Sequence, residues 1–285
     1  MSYQILRKEI LNPSVVRMHV HAPLVARKAR AGQFIILRVD EEGERIPLTI
    51  ADYDREAGWV SIIFQTVGMT TDKLARLCEG DAIADFVGPL GMPTELDGLS
   101  RILVVGGGVG CAIALPLARE AKERGIEVVS IIGFRKGDLV ILEDEFSKYS
   151  DTLYRMSDDG SFGERGTVTV PLKRILEAGE HFDRVFAIGP LVMMKFVTET
   201  VRPYPIPITV SMNPIMIDGT GMCGCCRLSL VREDGTRVTK FACVDGPDFD
   251  GREVDFDEAM IRSRMYAEQE RLSREESCNL YREVR

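Results

Sequence analysis

Short runs of alternating or β-branched apolar residues fill the first third of the chain. Turn signals such as Asn12-Pro13, Glu42-Gly43 and Gly80-Asp81 separate each run from the next. Six short strands with this spacing are typical of a small antiparallel β-barrel. The predicted strands span residues 5–9, 15–20, 33–39, 47–50, 59–65 and 81–87.

One stretch with helical periodicity interrupts these strands. Residues 70–78 are predicted to form a helix, with Ala75 and Leu77 in its apolar part. Thr70 or Thr71 would cap the first turn, because a hydroxyl accepts a backbone N–H group that has no partner within the helix. The first third is therefore predicted to be a barrel that carries a single helix.

The middle of the chain alternates apolar strands with helical segments. The predicted strands span residues 100–105, 127–132, 152–156, 184–188 and 206–211, and the predicted helices span 109–124, 139–149 and 191–201. This alternation favours a doubly wound parallel sheet with helices on both faces. Ligands of such sheets bind beyond the carboxyl ends of the strands.

The last quarter begins with a loop that is rich in glycine and cysteine. Two strands, 227–231 and 237–243, are predicted to follow it, joined by an Asp-Gly turn at 233–236. The chain from Asp255 onward is polar, rich in Glu and Arg, and predicted to be helical. It is either a solvated tail or a segment that docks on a partner subunit. We divide the chain into a barrel (1–98), a nucleotide-binding domain (99–212), a metal module (213–254) and a charged extension (255–285). The fold class is α/β plus all-β.

Composition narrows the possible functions. The 285 residues carry a net charge of −8, which argues against nucleic acid and anionic membranes as partners. No apolar run is long enough for a transmembrane helix, and the first residues do not resemble a signal peptide. We therefore predict a cytoplasmic protein. Its seven cysteines then favour metal or redox chemistry over structural disulfides.

The densest cysteine grouping predicts an iron–sulfur site. Cys223, Cys226 and Cys243 fill the second, third and fourth places of the C-x4-C-x2-C…C spacing of ferredoxin-type [2Fe–2S] loops. Asp218 stands in the first place, and its carboxylate can ligate iron. A zinc site and a loop without metal are the alternatives, and Cys225 is a rival for the place of Cys223 or Asp218.

Two features of the predicted barrel point to a flavin. Arg45 and Thr49 lie four residues apart on a strand, so they share one face and can hold a pyrophosphate and a ring edge. Gly68, Thr70 and Thr71 open the predicted helix, where free N–H groups and hydroxyls form an anion site. Taken singly, Arg45 is equally consistent with a solvated strand residue, and the two threonines with a cap.

A glycine-rich turn follows the first strand of the middle region. Gly106, Gly107 and Gly108 lie between that strand and a predicted helix, which is the arrangement of dinucleotide-binding folds. Arg135 and Lys136 follow the next strand, where they are equally consistent with a 2′-phosphate site or a solvated turn. The three histidines show no catalytic grouping, and we predict no catalytic acid or base.

Several motifs together resemble the ferredoxin–NADP reductase superfamily. The first motif is Arg-x-Pro-x-Thr at 45–49, which includes Pro47 and Leu48 as further site residues. The second is Gly-x-Thr-Thr at 68–71, and the third is the run that starts at Gly88. The resemblance implies that the barrel binds FAD and that Gly88 lies where the barrel meets the second domain. It also implies a site for NAD(H), with NADP(H) possible, lined by Gly106, Gly107, Gly108, Asp158, Asp159, Gly189 and Pro190.

The order of barrel, nucleotide domain and [2Fe–2S] module resembles the electron-transfer subunit of dihydroorotate dehydrogenase. It resembles even more the small subunit of NADH-dependent reduced ferredoxin:NADP oxidoreductase, because Asp218 and the charged extension fit that branch. This implies an enzyme subunit that oxidises NADH, or runs in reverse, through FAD and passes single electrons to the cluster.

The same resemblance implies a larger flavoprotein subunit with [4Fe–4S] clusters, which links the chain to ferredoxin through electron bifurcation. Three alternatives stay open at this point. They are the dihydroorotate dehydrogenase subunit, a stand-alone NAD(P)H–ferredoxin reductase, and a metal-binding module without enzymatic activity.

Overall fold

A computed structural model describes residues 3–272 of the chain. Its first sheet has seven antiparallel strands in the order β6-β1-β2-β5-β4-β3-β7. The strands are β1 (Tyr3–Asn12), β2 (Val15–His21), β3 (Phe34–Arg38), β4 (Arg45–Asp54), β5 (Trp59–Gln65), β6 (Ala82–Ile83) and β7 (Asp85–Leu90). Two helices accompany them, α1 (Pro23–Ala26) and α2 (Met69–Arg76).

The first sheet forms a nearly closed barrel. Strands β6 and β7 lie at opposite edges of the sheet, yet only Ala84 separates them in the chain. The barrel core comes from alternate residues, such as Ile35 and Leu37 of β3. The opposite face of β3 carries Phe34 and Ile36, which are buried against the C-terminal part of the chain. Strand β3 is therefore covered on both faces.

The second sheet belongs to the nucleotide domain and has the order β11-β10-β9-β8-β12-β13-β16. The strands are β8 (Arg101–Gly107), β9 (Glu127–Phe134), β10 (Thr152–Ser157), β11 (Glu164–Arg165), β12 (Arg184–Ile188), β13 (Ile208–Ser211) and β16 (Asp248–Asp250). The helices are α3 (Cys111–Glu123), α4 (Glu143–Tyr149), α5 (Thr169–Glu177) and α6 (Leu191–Val201). All neighbouring strands are parallel except β16, which is antiparallel to β13.

Both faces of this sheet are covered by helices, as a doubly wound fold requires. Ile102 and Val104 of β8 pack with α3 and α4, whereas Leu103 and Val105 pack with α5 and α6. Because side chains alternate along a strand, a continuous apolar run fits a strand that is buried on both sides. Strand β8 is central, with β9 on one side and β12 on the other, so the direction of winding reverses there. The predicted fold class is confirmed.

The C-terminal part adds a hairpin and a helix to these two domains. The hairpin is formed by β14 (Arg227–Val231) and β15 (Arg237–Phe241), and the helix is α7 (Phe256–Ser263). The predicted Asp-Gly turn joins the two strands, with Gly235 at φ +81°. Strand β16, which sequence patterning missed, adds part of the predicted metal module to the edge of the parallel sheet. The division into domains stays a prediction.

Two helical assignments need correction. The predicted helix 139–149 begins only at Glu143, because Leu142 has a φ of +62° that no α-helix can accommodate. Helix α5 was missed, although Leu172, Ile175 and Leu176 follow helical spacing and are buried. Residues 137–139 form a short 3₁₀ turn.

Polar contacts join the barrel to the nucleotide domain. Arg17 of β2 donates to Glu145 of α4 at 2.9 Å, and the Asn12 side chain donates to the Leu139 carbonyl at 3.1 Å. Arg119 of α3 pairs with Asp52 of β4 on another part of the same interface. The two domains therefore meet at several independent points, which fixes the cleft between them.

Part of the predicted extension is helical, since α7 lies within it. Its remainder beyond residue 272, including Cys278, lies outside the described residues. Within residues 3–272, no helix combines the length and apolar character needed to cross a bilayer.

Candidate functional site

A cleft of about 690 Å³ opens where the barrel, the nucleotide domain and the C-terminal part meet. Six predicted site residues line it: Pro47, Thr49, Gly107, Gly108, Gly189 and Pro190. Cys225 and several residues of α7 line the same cleft. The cleft lies at the carboxyl end of β8 and β12, where an open parallel sheet binds its ligands.

The glycine-rich turn after β8 packs closely against the turn after β12. A Cβ on Gly110 would lie 2.5 Å from the Ile188 carbonyl oxygen, and one on Gly107 would lie 2.2 Å from the Met193 sulfur. Gly108 differs, because its φ is +55° and the position that a Cβ would take there has no atom within 4 Å. Its backbone is thus open to the cleft, which fits the close approach of a dinucleotide pyrophosphate.

The start of α6 forms the facing wall. Gly189 and Pro190 lead into the helix, and its first residues, Leu191 and Val192, line the cleft. Backbone N–H groups without helical partners therefore lie beside the space that a negatively charged cofactor would take. The predicted Gly-Pro motif and the glycine-rich turn are brought together.

Strand β4 splits the barrel motif between two faces. Pro47 and Thr49 line the cleft, whereas Leu48 between them packs on the barrel core. Arg45 shares the face of Pro47 and Thr49 by alternation, but it is exposed at the start of the strand, outside the cleft. Leu48 is therefore placed to support the strand rather than to contact a ligand.

The second barrel motif lies beside Arg45. The Thr71 hydroxyl accepts from the Gly68 N–H at 3.0 Å and donates to the Gly68 carbonyl at 2.9 Å, so it completes the start of α2. The Thr70 hydroxyl donates to Glu44 at 3.1 Å, next to Arg45 in the chain. The two predicted flavin motifs thus meet at one end of the barrel, beyond the cleft lining.

Three further predicted residues, Gly88, Asp158 and Asp159, also lie away from the cleft lining. Gly88 packs on β3, where an added Cβ would come within 2.7 Å of the Ile35 side chain. Asp158 and Asp159 are exposed in the loop after β10. Asp159 accepts from the Ser161 N–H at 3.0 Å and from its hydroxyl, and these hydrogen bonds lower the pKa of Asp159.

Gly106 is buried beneath the turn, where an added Cβ would lie 3.0 Å from the Cys111 sulfur. It therefore supports the turn from below, whereas Gly107 and Gly108 line the cleft. Arg135, which the sequence left open as a phosphate ligand, also lines the cleft.

The iron–sulfur loop brings two of its predicted ligands together. The sulfurs of Cys226 and Cys243 lie 3.2 Å apart in a buried position. Burial, followed by the hydrogen bond to Cys226, raises the pKa of Cys243 to about 12. The hairpin thus returns Cys243 to the loop, as the spacing predicted.

The other two predicted ligands lie at the surface side of the loop. The Asp218 carboxylate accepts from the Thr220 N–H at 2.8 Å and from the Cys223 N–H at 3.0 Å. These backbone hydrogen bonds, the Thr220 bond first, hold the pKa of Asp218 below its usual value. Cys223 itself is exposed.

The chemical types of the four predicted ligands suit an iron–sulfur cluster, although their side chains do not yet surround one common space. Within residues 3–272, three or more His, Cys, Asp or Glu side chains do not converge on one metal-sized space. Three thiols and one carboxylate nevertheless share a loop and a hairpin, and thiolates are the usual ligands of iron–sulfur clusters. Loading would remove the thiol protons and draw Asp218 and Cys223 towards the buried pair.

Sequence patterning missed two parts of the site. Cys225 lines the cleft, and α7 forms a wall of the cleft through residues that include Met260 and Arg262. The Arg262 guanidinium donates to the Cys225 carbonyl at 3.1 Å. A helix from residue 255 onward was predicted, and the apolar spacing of Phe256, Ala259 and Met260 agrees with it, but the sequence does not indicate the surface on which the helix packs.

Comparisons with known proteins agree with this geometry. Residues 213–255 match the family model of the iron–sulfur cluster binding domain of dihydroorotate dehydrogenase B. A Thermotoga maritima protein described as a dihydroorotate dehydrogenase B (NAD(+)) electron transfer subunit homolog is 45% identical over 95% of this chain and 94% of its own. The electron transfer subunit of dihydroorotate dehydrogenase B from Streptococcus pneumoniae R6 is 32% identical over 86% of this chain and 94% of its own.

A solved structure extends the likeness over nearly the whole chain. This structure comes from work on flavin-based electron bifurcation by NADH-dependent reduced ferredoxin-NADP oxidoreductase, and its sequence is 44% identical to that of this chain. The match covers 98% of both chains with a TM-score of 0.90. The resemblance predicted from the sequence motifs is confirmed.

Proposed function

We infer the function of the chain from its family: it belongs to the dihydroorotate dehydrogenase B electron transfer subunits, a group of NAD(P)H-dependent flavin and iron–sulfur oxidoreductase subunits. From this membership we propose that it is the small subunit of a bifurcating NADH-dependent ferredoxin:NADP oxidoreductase. It oxidises NADH, or runs in reverse, with FAD and a [2Fe–2S] cluster as cofactors. Each NADH gives NAD⁺, one proton and two electrons, and the electrons leave one at a time.

One observation carries this proposal: a single cleft is lined by all three parts of the chain. The barrel contributes Pro47 and Thr49, the nucleotide domain contributes Gly107 and Gly108, and the iron–sulfur loop contributes Cys225. An enzyme that passes electrons from a nucleotide to iron needs these three sites side by side. FAD, when bound, supplies the conversion between two-electron and one-electron chemistry.

The residues of the nucleotide domain bind and orient the dinucleotide. The open backbone at Gly108 and the start of α6 would hold its phosphates. Apolar side chains on the cleft wall, among them Val109, Ile113 and Leu191, would exclude water from the reacting end. NAD(H) is the expected nucleotide, with NADP(H) possible because Arg135 lines the cleft.

The residues of the barrel hold the flavin. Pro47 and Thr49 would contact its ring from the cleft side of β4. Arg45, Gly68, Thr70 and Thr71 would hold its pyrophosphate at the end of the barrel where the two motifs meet.

The iron–sulfur loop completes the path. Cys226 and Cys243 are a preformed pair, and Asp218 and Cys223 would supply the remaining two ligands. A carboxylate is a harder ligand than a thiolate, so this donor set would give a potential different from that of an all-cysteine site.

Two observations favour the bifurcating branch over dihydroorotate oxidation. The bifurcating structure matches 98% of this chain at 44% identity, whereas the Streptococcus pneumoniae subunit matches 86% at 32%. Asp218, which stands in the first ligand place where ferredoxin-type loops have cysteine, also fits the bifurcating branch. The expected partner is a larger flavoprotein subunit that holds [4Fe–4S] clusters, and ferredoxin exchanges electrons through that partner.

Anaerobic purification of the native protein, with cofactor analysis and identification of co-purifying chains, tests the proposal. We expect FAD, iron and acid-labile sulfide on this chain, and a large flavin and [4Fe–4S] subunit with it. Co-purification with an FMN-containing barrel subunit would assign the chain to dihydroorotate oxidation instead. Elution as a single active chain would indicate a stand-alone reductase, and absence of flavin absorbance would refute every flavoenzyme assignment.

A further inference from the structure

The last described helix is tied to the iron–sulfur loop through one side chain. The Arg262 guanidinium donates to the Cys225 carbonyl oxygen at 3.1 Å. Within residues 261–272 all other residues are exposed, whereas Arg262 is half-buried. The hydrogen bond is therefore not an incidental contact of a solvated arginine.

The carbonyl that accepts this hydrogen bond belongs to the peptide between Cys225 and Cys226. Cys225 lines the cleft, and Cys226 lies in the buried pair with Cys243. This one peptide therefore connects the wall of the nucleotide and flavin cleft to a predicted iron ligand. The orientation of this peptide determines the position of the Cys226 sulfur relative to the cleft.

Helix α7 is a firm support for such a contact. Its N-cap Asp255 accepts from the Glu258 N–H at 3.0 Å and from Arg237 of β15 at 2.9 Å. Asp257 accepts from Lys195 of α6 at 2.7 Å. Phe256 and Ala259 are buried in the core that the hairpin shares with the parallel sheet, so α7 is anchored to both neighbours.

We propose that Arg262 is a positioning residue for electron transfer between the flavin and the [2Fe–2S] cluster. It holds the 225–226 peptide in place from the anchored helix, and its positive charge beside the cluster favours the reduced, more negative form. This inference rests on the proposed function, because it requires both cofactors. It adds a residue outside the matched iron–sulfur domain, which ends at residue 255.

Two variants and a matched control test the role of Arg262 in the assembled holoenzyme. R262Q removes the charge and weakens the hydrogen bond, whereas R262K keeps the charge. R232Q removes the same charge from an exposed arginine in the turn of the hairpin, which does not line the cleft. Each preparation is first assayed for FAD, iron and acid-labile sulfide.

The midpoint potential of the cluster, measured by EPR-monitored titration, is the first readout. We expect the midpoint potential to fall in R262Q, to recover at least in part in R262K, and to stay unchanged in R232Q. Stopped-flow reduction by NADH is the second readout. Flavin bleaching should keep its rate, while cluster reduction slows about tenfold in R262Q, since small displacements are costly in pre-organised sites.

An R262Q enzyme with full cofactor content, an unchanged potential and an unchanged rate of cluster reduction would overturn the proposal. If R262Q fails to load iron, the R262K variant decides between the two explanations. A wild-type potential and rate of cluster reduction in R262K support the positioning role of Arg262. Loss of iron from R262K as well would assign Arg262 to folding only. A wild-type enzyme without FAD or sulfide would instead refute the proposed function, so the two failures are distinguishable.

Discussion

Cys225 and Cys226 are neighbours in the chain, yet they face different surroundings. Cys226 is buried with its sulfur 3.2 Å from that of Cys243, whereas Cys225 is half-buried and lines the cleft. A hydrogen bond to Cys223 is the main cause of the raised pKa of Cys225. Of these two adjacent thiols, Cys226 is the one that belongs to the buried pair.

Replacing each of the two cysteines by alanine separates their roles. C225A should keep its full iron and sulfide content, because Cys225 is not part of the buried pair formed by Cys226 and Cys243. C226A should lose the cluster, since it removes one half of that pair. Iron and acid-labile sulfide analysis reports both outcomes, and retention of iron in C226A with loss in C225A would reverse the ligand assignment.

Arg45 provides a second test at the level of single residues, and the neighbouring strand provides a matched control. Arg38 lies opposite Arg45 in the β3–β4 ladder, but its side chain is paired with Asp85 at 2.6 Å. R45A should weaken FAD binding by about tenfold, the effect of losing a charge-assisted hydrogen bond to phosphate. R38A should not, and equal FAD dissociation constants for R45A and wild type would remove Arg45 from the site.

Asp248 is a buried carboxyl at the junction of all three parts of the chain. It accepts from the Thr94 hydroxyl at 2.6 Å, and its strand β16 pairs with β13 at Ser211. Burial raises the pKa of Asp248 above the ordinary 3.8, although the hydrogen bonds to Thr94 and Ser211 oppose this.

The raised pKa of Asp248 predicts the sign of a pH effect on stability. A carboxyl with a higher pKa when folded contributes most below its unfolded pKa, and this contribution is lost as pH rises through the folded pKa. D248N does not titrate, so its stability relative to wild type should increase as the pH rises from 3.8 towards the raised pKa of the folded state. Urea unfolding midpoints across that range measure the difference, and parallel pH profiles would contradict the assignment.

Among the elements, the turns after β8 and β12 depend on close backbone packing. A Cβ at Gly110 would lie 2.5 Å from the Ile188 carbonyl oxygen and 2.6 Å from Gly189 Cα, which cannot move without shifting β12. A Cβ at Gly107 would meet the end of the Met193 side chain, which can rotate away.

This difference predicts that G110A is more harmful than G107A. G110A should cost about 1–3 kcal/mol in unfolding free energy, as overpacking against fixed atoms does, and should also weaken NADH binding. G107A should cost less, because only a flexible thioether has to move. Denaturation and NADH titration compare the two variants, and an equal loss in both would show that the Gly110 contact is not the limiting one.

Across the whole molecule, local sequence patterns predicted most helices and strands, whereas long-range packing determined which of them meet at the cleft. Strand β5 and helix α6 have the predicted bounds, because their spacing and flanking turn residues agree. Strand β16 has only three residues, too few to show an alternation of apolar and polar positions. Helix α7 is part of the cleft wall because of its contacts with α6 and β15, which the sequence does not reveal. The cysteine spacing predicted a ligand set, but not that Cys225 would face the cleft.

In the function proposed for the whole molecule, a nucleotide and a flavin bind at the cleft, and iron binds in the adjoining cysteine loop, whose Cys225 lines the cleft. Anaerobic addition of NADH to the holoenzyme, followed by absorbance and EPR, tests this most directly. We expect the flavin to bleach and a reduced [2Fe–2S] signal to appear, and in C226A the flavin should still bleach without that signal. Flavin bleaching by NADH while the wild-type cluster stays oxidised would contradict the central claim.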